Sequence, residues 1–182
     1  QKPDRVIFSP WEDFDFEGRF IQADFGNLSV ISIYIPSGSA KQERQDYKMD
    51  FMTERFMPYL EELQKDGREY IICGDINIVH KKIDIKNFNG NKNRSGCLPE
   101  ERAWLDQLFG EAGFIDAFRE INQEADQYTW WSNRGQAWAN NTGWRIDYHI
   151  LSANLKGTPQ RAEVYKDERF SDHSPLIIDY DF

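Results

Sequence analysis

The chain has 182 residues, a formal net charge of −9, 40% hydrophobic residues and 15% aromatic residues. A globular chain of this length buries about 70% of the surface that its unfolded form exposes, and its many aromatic side chains exclude an intrinsically disordered protein. No apolar run approaches the roughly 18 to 20 residues of a membrane span, so we also expect no integral membrane protein.

The two cysteines of the chain cannot form a disulfide framework. Cys73 lies inside an apolar run that predicts a buried strand, so we expect a free, buried thiol there. Free thiols are typical of a reducing compartment, and we therefore predict a cytoplasmic protein.

The first elements in chain order are two strands and a long helix. Residues 19–25 and 28–35 are rich in apolar and β-branched side chains, and the Gly-Asn pair between them predicts a hairpin turn. Ser39, with Gln42 three residues later, predicts a capping box. Apolar side chains then recur at helical spacing, and we expect a bend of this helix near Pro58.

The rest of the chain alternates strands with a further helix. The all-apolar run 70–73 predicts a strand that is buried on both faces. Pro99, followed by two glutamates, predicts the first turn of a helix. Four more strands are expected, at residues 128–131, 145–151, 161–164 and 176–180. No repeat or low-complexity linker divides these elements, so we predict one α/β domain over residues 1–182.

The first polar cluster follows the buried strand, in the sequence Gly74-Asp75-Ile76-Asn77. Polar groups gather at strand ends in α/β enzymes, and a period of two places Asp75 and Asn77 on one side if the strand continues. A carboxylate beside an amide suits a site that needs an acid–base group and an orienting donor. The alternative is an ordinary turn with an Asn cap.

The second cluster lies in the predicted strand 145–151. Alternation along this strand places Asp147 on the same face as Arg145 and opposite to Trp144 and Ile146. A carboxylate in such an aromatic context needs a partner. That partner is either Arg145, in a structural ion pair, or a group of an active site.

The third cluster, Asp172 and His173, precedes the last predicted strand. A lone histidine is more often structural, but here Asp147 is available to orient the ring. An Asp–His pair stabilises the charged imidazole, which donates a hydrogen bond to a phosphoryl oxygen. Oxygen ligands from Asp75, Asn77 and Asp172 indicate a hard cation, Mg²⁺ or Mn²⁺, since the histidines and cysteines do not offer zinc spacing.

One segment of this acidic chain is basic. Residues 79–96 contain five Lys or Arg residues against one Asp, a local charge of +4. Such a segment is either a solvated face or a strip that contacts phosphates.

Together, these clusters resemble the exonuclease III family of the endonuclease/exonuclease/phosphatase superfamily. The Gly-Asp-x-Asn and Ser-Asp-His motifs mark only the superfamily, which also holds lipid and RNA phosphoesterases. The sequence Gly143-Trp144-Arg145-Ile146-Asp147-Tyr148 narrows the resemblance to the abasic-site nuclease branch. The resemblance implies an α/β, four-layer sandwich of two packed β-sheets flanked by helices, similar to DNase I. It also implies a Mg²⁺-dependent phosphodiesterase that cuts duplex DNA beside abasic sites and from 3′ ends.

The resemblance also implies catalytic roles for the matching residues. Asp75 would activate the attacking water, and Asn77 would orient that water or the phosphate. His173, held by Asp147, would donate to a phosphate oxygen. Tyr34 would contact the phosphate or its developing charge.

Further matches concern the metal and the DNA. Asp172 matches a position near the metal, and Asn91 matches a phosphate contact. Arg94 occupies a position where relatives often carry Asn, and we expect it to contact a phosphate or a base edge. An apolar pocket for a flipped-out sugar without its base is implied at Trp130, Trp144 and Ile146, for which core packing is the alternative.

The opening strands of the family, which supply an Asn and the Glu that is the principal metal ligand, have no match in residues 1–19. We therefore expect the intact protein to be an enzyme, this segment alone to be inactive, and its unpaired sheet edges to favour self-association. Two alternatives stay open: a superfamily phosphoesterase acting on lipid or RNA, and a non-catalytic DNA-binding relative.

Overall fold

A six-stranded mixed β-sheet organises the structure. The computed structural model describes residues 1–11 and 17–182. The strands among these residues are β1 (Arg5–Ile7), β2 (Phe20–Phe25), β3 (Leu28–Tyr34), β4 (Glu69–Asp75), β5 (Ile115–Asp116), β6 (Trp130–Trp131), β7 (Gly143–Trp144), β8 (Asp147–Leu151), β9 (Pro159–Val164) and β10 (Leu176–Tyr180). The main sheet has the order β1-β2-β3-β4-β8-β5, and within it β3 and β4 run parallel. Two antiparallel pairs, β6–β7 and β9–β10, form small separate sheets.

The longest helical segment connects β3 to β4. It consists of α1 (Gln42–Asp50), a π-helical turn (Phe51–Phe56) and α2 (Met57–Leu63). The π-helical turn lies directly before Pro58, whose missing N–H cannot continue the regular bond pattern. The expected bend near Pro58 stays a prediction. The remaining helices of the described residues are α3 (Phe88–Asn91), α4 (Pro99–Phe109) and α5 (Ala117–Ile121), with short 3₁₀ turns at Lys82–Asp84 and Ala153–Leu155.

Alternate residues of β4 face two different hydrophobic cores. Tyr70 and Ile72 pack with apolar side chains of α1, α2 and α4 on one face of the sheet. Ile71 packs on the opposite face with residues of β8, β9 and β10. This confirms the prediction of a strand buried on both faces and explains why its sequence lacks polar alternation.

The α/β class is confirmed by this arrangement. The contacts establish a helical layer, the six-stranded sheet and a small second sheet, β9–β10, packed on the other side. The second sheet has two strands among the described residues, and the outer helical layer of the expected four-layer sandwich stays a prediction. No helix in the described ranges has the length and apolar character that crossing a membrane requires.

The predicted helix cap is wrong. The helix α1 begins at Gln42, and Lys41 occupies the N-cap position without a capping side-chain hydrogen bond. The Ser39 hydroxyl instead forms a hydrogen bond with the Ser37 hydroxyl over 2.9 Å. The start of α4 at Pro99 and the hairpin turn between β2 and β3 are as predicted.

Candidate active site

Three strands of the main sheet place polar side chains in one row. Tyr34 of β3 is the register partner of Asp75 of β4, and Asp75 is the partner of Asp147 of β8. Register partners on neighbouring strands project from the same face of a sheet. The row therefore brings side chains from three distant parts of the sequence to one end of the sheet.

A sharp corner follows Asp75. A Cβ atom on Gly74 would lie 1.8 Å from the carbonyl oxygen of Ile33, so this close approach requires glycine. The backbone N–H of Asn77 donates to Asp75 Oδ1 over 2.8 Å, and the Asn77 amide donates to Asp75 Oδ2 over 3.0 Å. The predicted proximity of the two side chains is correct, but its cause is different. The strand ends at Asp75, and Asn77 adopts a left-handed φ of 56° in the turn.

Asp147 and His173 form a hydrogen-bonded pair. The Nδ1 atom of His173 lies 2.9 Å from Asp147 Oδ2, and the two groups come from β8 and from the segment before β10. Burial by itself lowers the pKa of His173, but the hydrogen bond and charge of Asp147 outweigh burial and raise this pKa. The charged imidazole is thus favoured, and its Nε2 atom is the one not used by Asp147.

Asp75 lies in an environment that favours its neutral form. Burial, and then the negative charge of Asp147, raise the pKa of Asp75 from an ordinary 3.8 to about 7. The positive charge of His173 acts in the opposite direction. A carboxyl group with a pKa near neutrality exchanges protons readily at the pH of most cells.

Two tryptophans stand beside this row. Trp130 and Trp144 are register partners in β6 and β7, with ring centroids 6.1 Å apart at an interplanar angle of 89°. The indole N–H of Trp130 donates to Asp172 Oδ2 over 3.0 Å. Ile146 is buried and packs in the same small cluster. These contacts build an apolar wall next to the polar row.

A cavity of about 1020 Å³ opens over these groups. Its lining includes nine of the eleven residues that the sequence predicted for the site: Tyr34, Asp75, Asn77, Arg94, Trp130, Trp144, Ile146, Asp172 and His173. Asp147 lines an adjoining pocket that shares His173. A site of this size accepts a segment of polymer rather than a small ion alone.

The basic segment divides into structural and cavity-facing parts. Lys81 pairs with Asp106 and Lys86 pairs with Asp126, so these charges belong to surface ion pairs. Arg94 lines the cavity. Asn91 lies in α3 outside the lining of the cavity, and its amide donates to the carbonyl of Asn87 over 2.9 Å.

The predicted common face of Arg145 and Asp147 is wrong. The Arg145 guanidinium is fully buried and binds Asp84 and Asp116, each over 2.7 Å. Burial alone would raise the pKa of Asp84, but the charge of Arg145 lowers it to about 2. The Arg145 amide donates to the Asp84 carbonyl, so β8 begins two residues later, at Asp147. Asp147 is therefore not the ion-pair partner of Arg145, and its carboxylate faces His173.

Two features of the site were missed from the sequence. The Thr129 hydroxyl is buried and accepts hydrogen bonds from the backbone N–H groups of Ile146 and Asp147, each over 3.1 Å. Lys48 and Glu101 form a buried ion pair behind the corner at Asn77. A glutamate in the first turn of α4 was a signal for the helix start, but nothing in the local pattern identified its partner.

The described residues do not complete a metal site. Asp75, Asn77 and Asp172 line one cavity and carry the oxygen donors that a hard cation takes. However, both Asp75 oxygens accept from Asn77, and one Asp172 oxygen accepts from Trp130. Across residues 1–11 and 17–182, no three His, Cys, Asp or Glu side chains converge as a metal would need.

The sequence matches a known family along most of its length. The model of the Endonuclease/Exonuclease/phosphatase family matches residues 4–173. An exodeoxyribonuclease of Bacillus subtilis is 39% identical over 180 residues, which cover 98% of this chain and 70% of that protein. The DNA repair nuclease APEX1 of Danio rerio is 38% identical over 169 residues, covering 92% of this chain and 53% of the relative.

Solved structures agree with these matches. An AP endonuclease from Archaeoglobus fulgidus superimposes with a TM-score of 0.89 at 26% identity, over 100% of this chain and 72% of that one. A 3′ phosphatase from Neisseria, bound to a product DNA hairpin, has a TM-score of 0.90 at 24% identity, over 99% of this chain and 72% of that one. The similarity to the Neisseria protein, at 24% identity, shows a shared fold only.

Proposed function

The chain belongs to the endonuclease/exonuclease/phosphatase family, and from that premise we propose that it is the major part of an exonuclease III-type nuclease that cuts DNA beside abasic sites and from 3′ ends. The observation that carries the proposal is the row of Tyr34, Asp75 and Asp147 with His173 against it, at the mouth of a large cavity. The chain spans 53% to 70% of the two curated relatives described above, so the proposal concerns the activity of the whole protein.

The acid–base roles follow from the two perturbed groups. Asp75, whose pKa is raised to about 7, is the group that takes a proton from the attacking water. His173 donates through Nε2 to a phosphate oxygen, while Asp147 holds Nδ1 and stabilises the positive charge. The Asn77 amide is fixed beside Asp75 and orients the water or the phosphate.

The substrate contacts follow from the lining of the cavity. Trp130, Trp144 and Ile146 supply an apolar surface where a sugar without its base fits, and such a sugar leaves the duplex at little cost because it has lost its stacking. Tyr34 and Arg94 face the same cavity and contact the phosphate backbone. Asn91 lies outside the lining of the cavity, and we propose that it contacts a more distant phosphate.

Family membership implies a metal-dependent phosphodiesterase, and we propose Mg²⁺ as the metal, with Mn²⁺ as a substitute. The support is a donor set of carboxylate and amide oxygens. We propose that a carboxylate outside the described residues completes the site together with Asp75, Asn77 and Asp172. On this proposal the 182-residue chain alone binds DNA but does not cut it.

Three further proposals concern the whole molecule. The free thiols Cys73, which is half-buried rather than fully buried, and Cys97 support a cytoplasmic location. The packing of the helices and of the β9–β10 sheet on opposite faces of one main sheet supports one domain over residues 1–182. The two-stranded β9–β10 sheet, with Ile177 partly exposed, supports self-association of the isolated chain through its edges.

Cleavage of a duplex with one abasic site tests the proposed function. The complete gene product should cut it with Mg²⁺ and not with EDTA, and the 182-residue chain should bind it without cutting. Asp75→Asn in the complete protein should reduce turnover by orders of magnitude with little loss of DNA affinity. Hydrolysis of phosphoinositides or RNA with abasic DNA left intact would overturn the proposal, as would DNA binding by the complete protein without any cleavage.

A further inference from the structure

Lys48 and Glu101 form a fully buried ion pair behind the cavity. Lys48 lies on α1 and Glu101 in the first turn of α4. Both side chains are 0% exposed, and the Nζ atom lies 2.6 Å from Oε1. Removing two charges from water costs free energy, so their presence here calls for a physical account.

Each member of the pair binds backbone at the cavity. Lys48 Nζ donates to the carbonyl oxygen of Asn77 over 2.9 Å. Glu101 Oε2 accepts from the N–H groups of Gly96 and Leu98 over 2.7 and 2.9 Å. The pair therefore joins the corner that carries Asn77 to the loop of residues 93–98, which also lines the cavity.

This loop also forms part of the wall beside the tryptophans. A Cβ atom on Gly96 would lie 3.1 Å from the ring of Trp144, so the backbone of the loop passes directly over that ring. A single backbone bond, from the Val79 N–H to the Gly96 carbonyl over 2.8 Å, runs beside the ion pair. If this loop moved, Arg94 would leave its position in the cavity lining and Gly96 would lose its contact with the Trp144 ring.

Stability alone does not account for the pair. Replacing both members of a buried ion pair by apolar residues of similar volume is often neutral or stabilising. Apolar side chains, however, cannot bind the Asn77 carbonyl or the two loop N–H groups. The charged pair therefore fixes the distance between the Asn77 corner and the loop of residues 93–98, which apolar packing would not do.

We propose that Lys48 and Glu101 are positioning residues that hold the loop of residues 93–98 against the Asn77 corner and so set the affinity of the cavity for the DNA backbone. The DNA part of this inference rests on the proposed function. The ordering of the loop does not, because it follows from contacts within the chain.

The test uses the double variant Lys48→Met/Glu101→Leu of the 182-residue chain. The matched control is Lys65→Met/Glu62→Leu, which removes an exposed ion pair at the end of the long helical segment. In that pair Lys65 Nζ lies 2.6 Å from Glu62 Oε1, the same distance as in the buried pair. Three quantities are measured for each protein: the melting temperature, the hydrogen exchange rates of the Gly96 and Leu98 amides by NMR, and the affinity in EDTA for a duplex with an abasic-site analogue.

The double variant should fold but melt several degrees lower, because it leaves two loop N–H groups and the Asn77 carbonyl without their side-chain partners. Its Gly96 and Leu98 amides, each of which loses its Glu101 acceptor, should exchange at least about ten times faster, and its Kd for the duplex should rise about ten-fold. The control should change neither quantity. If the double variant does not fold, Glu101→Gln is the second variant. Its single oxygen should accept from Lys48, which turns the amide NH₂ toward the loop, so exchange should be faster at both Gly96 and Leu98.

Unchanged exchange at Gly96 and Leu98 in the folded double variant would overturn the inference, whatever the DNA affinity. Faster exchange with an unchanged Kd would overturn its DNA part. An unsubstituted chain that binds no duplex would instead contradict the proposed function, while the exchange rates would still decide whether the pair orders the loop.

Discussion

Replacing Asp75 by Asn should make the protein more stable at alkaline pH. The folded state raises the pKa of Asp75 from 3.8 to about 7, first by burial and then by the charge of Asp147. A group whose pKa is raised on folding stabilises the protein below its unfolded pKa and loses that contribution as pH rises through the folded pKa. For Asp75 the loss extends from about pH 4 to about pH 7 and amounts to about 4 kcal/mol.

The asparagine variant avoids this loss because it is neutral at every pH. It also loses one hydrogen bond, since Asp75 accepts from both the backbone and the amide of Asn77 and an asparagine offers a single oxygen. An unsatisfied buried donor costs about 1–3 kcal/mol. The net effect should be near zero at pH 5 and a gain of about 2 kcal/mol at pH 8, or roughly 4 to 8 °C in melting temperature.

Denaturant and thermal unfolding between pH 5 and 8, in EDTA, measure this difference. Asp50→Asn, at an exposed aspartate of α1, is the control and should show no such trend. A stability difference between Asp75→Asn and the unsubstituted chain that stays constant from pH 5 to pH 8 would refute the raised pKa. Greater stability of the unsubstituted chain at pH 8 would do the same.

Three other changes probe the neighbouring contacts. Thr129→Val leaves two buried backbone donors unsatisfied and should lower stability by about 2–4 kcal/mol in thermal unfolding, whereas Thr53→Val on the surface should cost little; a shift of less than 1 °C, against roughly 4 °C or more expected, would contradict this role. Asp147→Asn should lower the pKa of His173 in an NMR titration, so that the stability this histidine contributes at low pH is lost at a lower pH than in the unsubstituted chain; an unmoved titration would show that another group holds the ring. Trp144→Ala in the complete protein should weaken the preference for abasic over intact duplex in competition assays, and an unchanged preference would argue against the apolar pocket.

Four strands of the main sheet, β2, β3, β4 and β8, could be predicted because their patterns are local, whereas the short strands β1 and β5 were missed. The run at residues 70–73 is apolar at every position since both faces of β4 meet a hydrophobic core. The start of α4 was visible in Pro99 and the glutamates after it, which suit the first turn of any helix. Motif residues such as Asp75 and His173 were found because short polar clusters adjoin predicted strands.

The contacts that hold the site together could not be predicted in this way. Lys48 and Glu101 are 53 positions apart, and helical periodicity does not distinguish a buried lysine from a solvated one. Arg145 was expected beside Asp147 because period-two alternation assumes a regular strand. The strand is not regular there, since two acids from other parts of the chain draw the guanidinium into the interior.

The strand order has a consequence for how the chain is synthesised. One side of β4 is covered by β3, which precedes it, but the other side waits for β8, more than seventy residues later. A chain emerging from the ribosome therefore leaves this edge of β4 unpaired for several seconds at a typical rate of about 5–20 residues per second. The cell must tolerate or shield that edge before the last third of the chain arrives to close it.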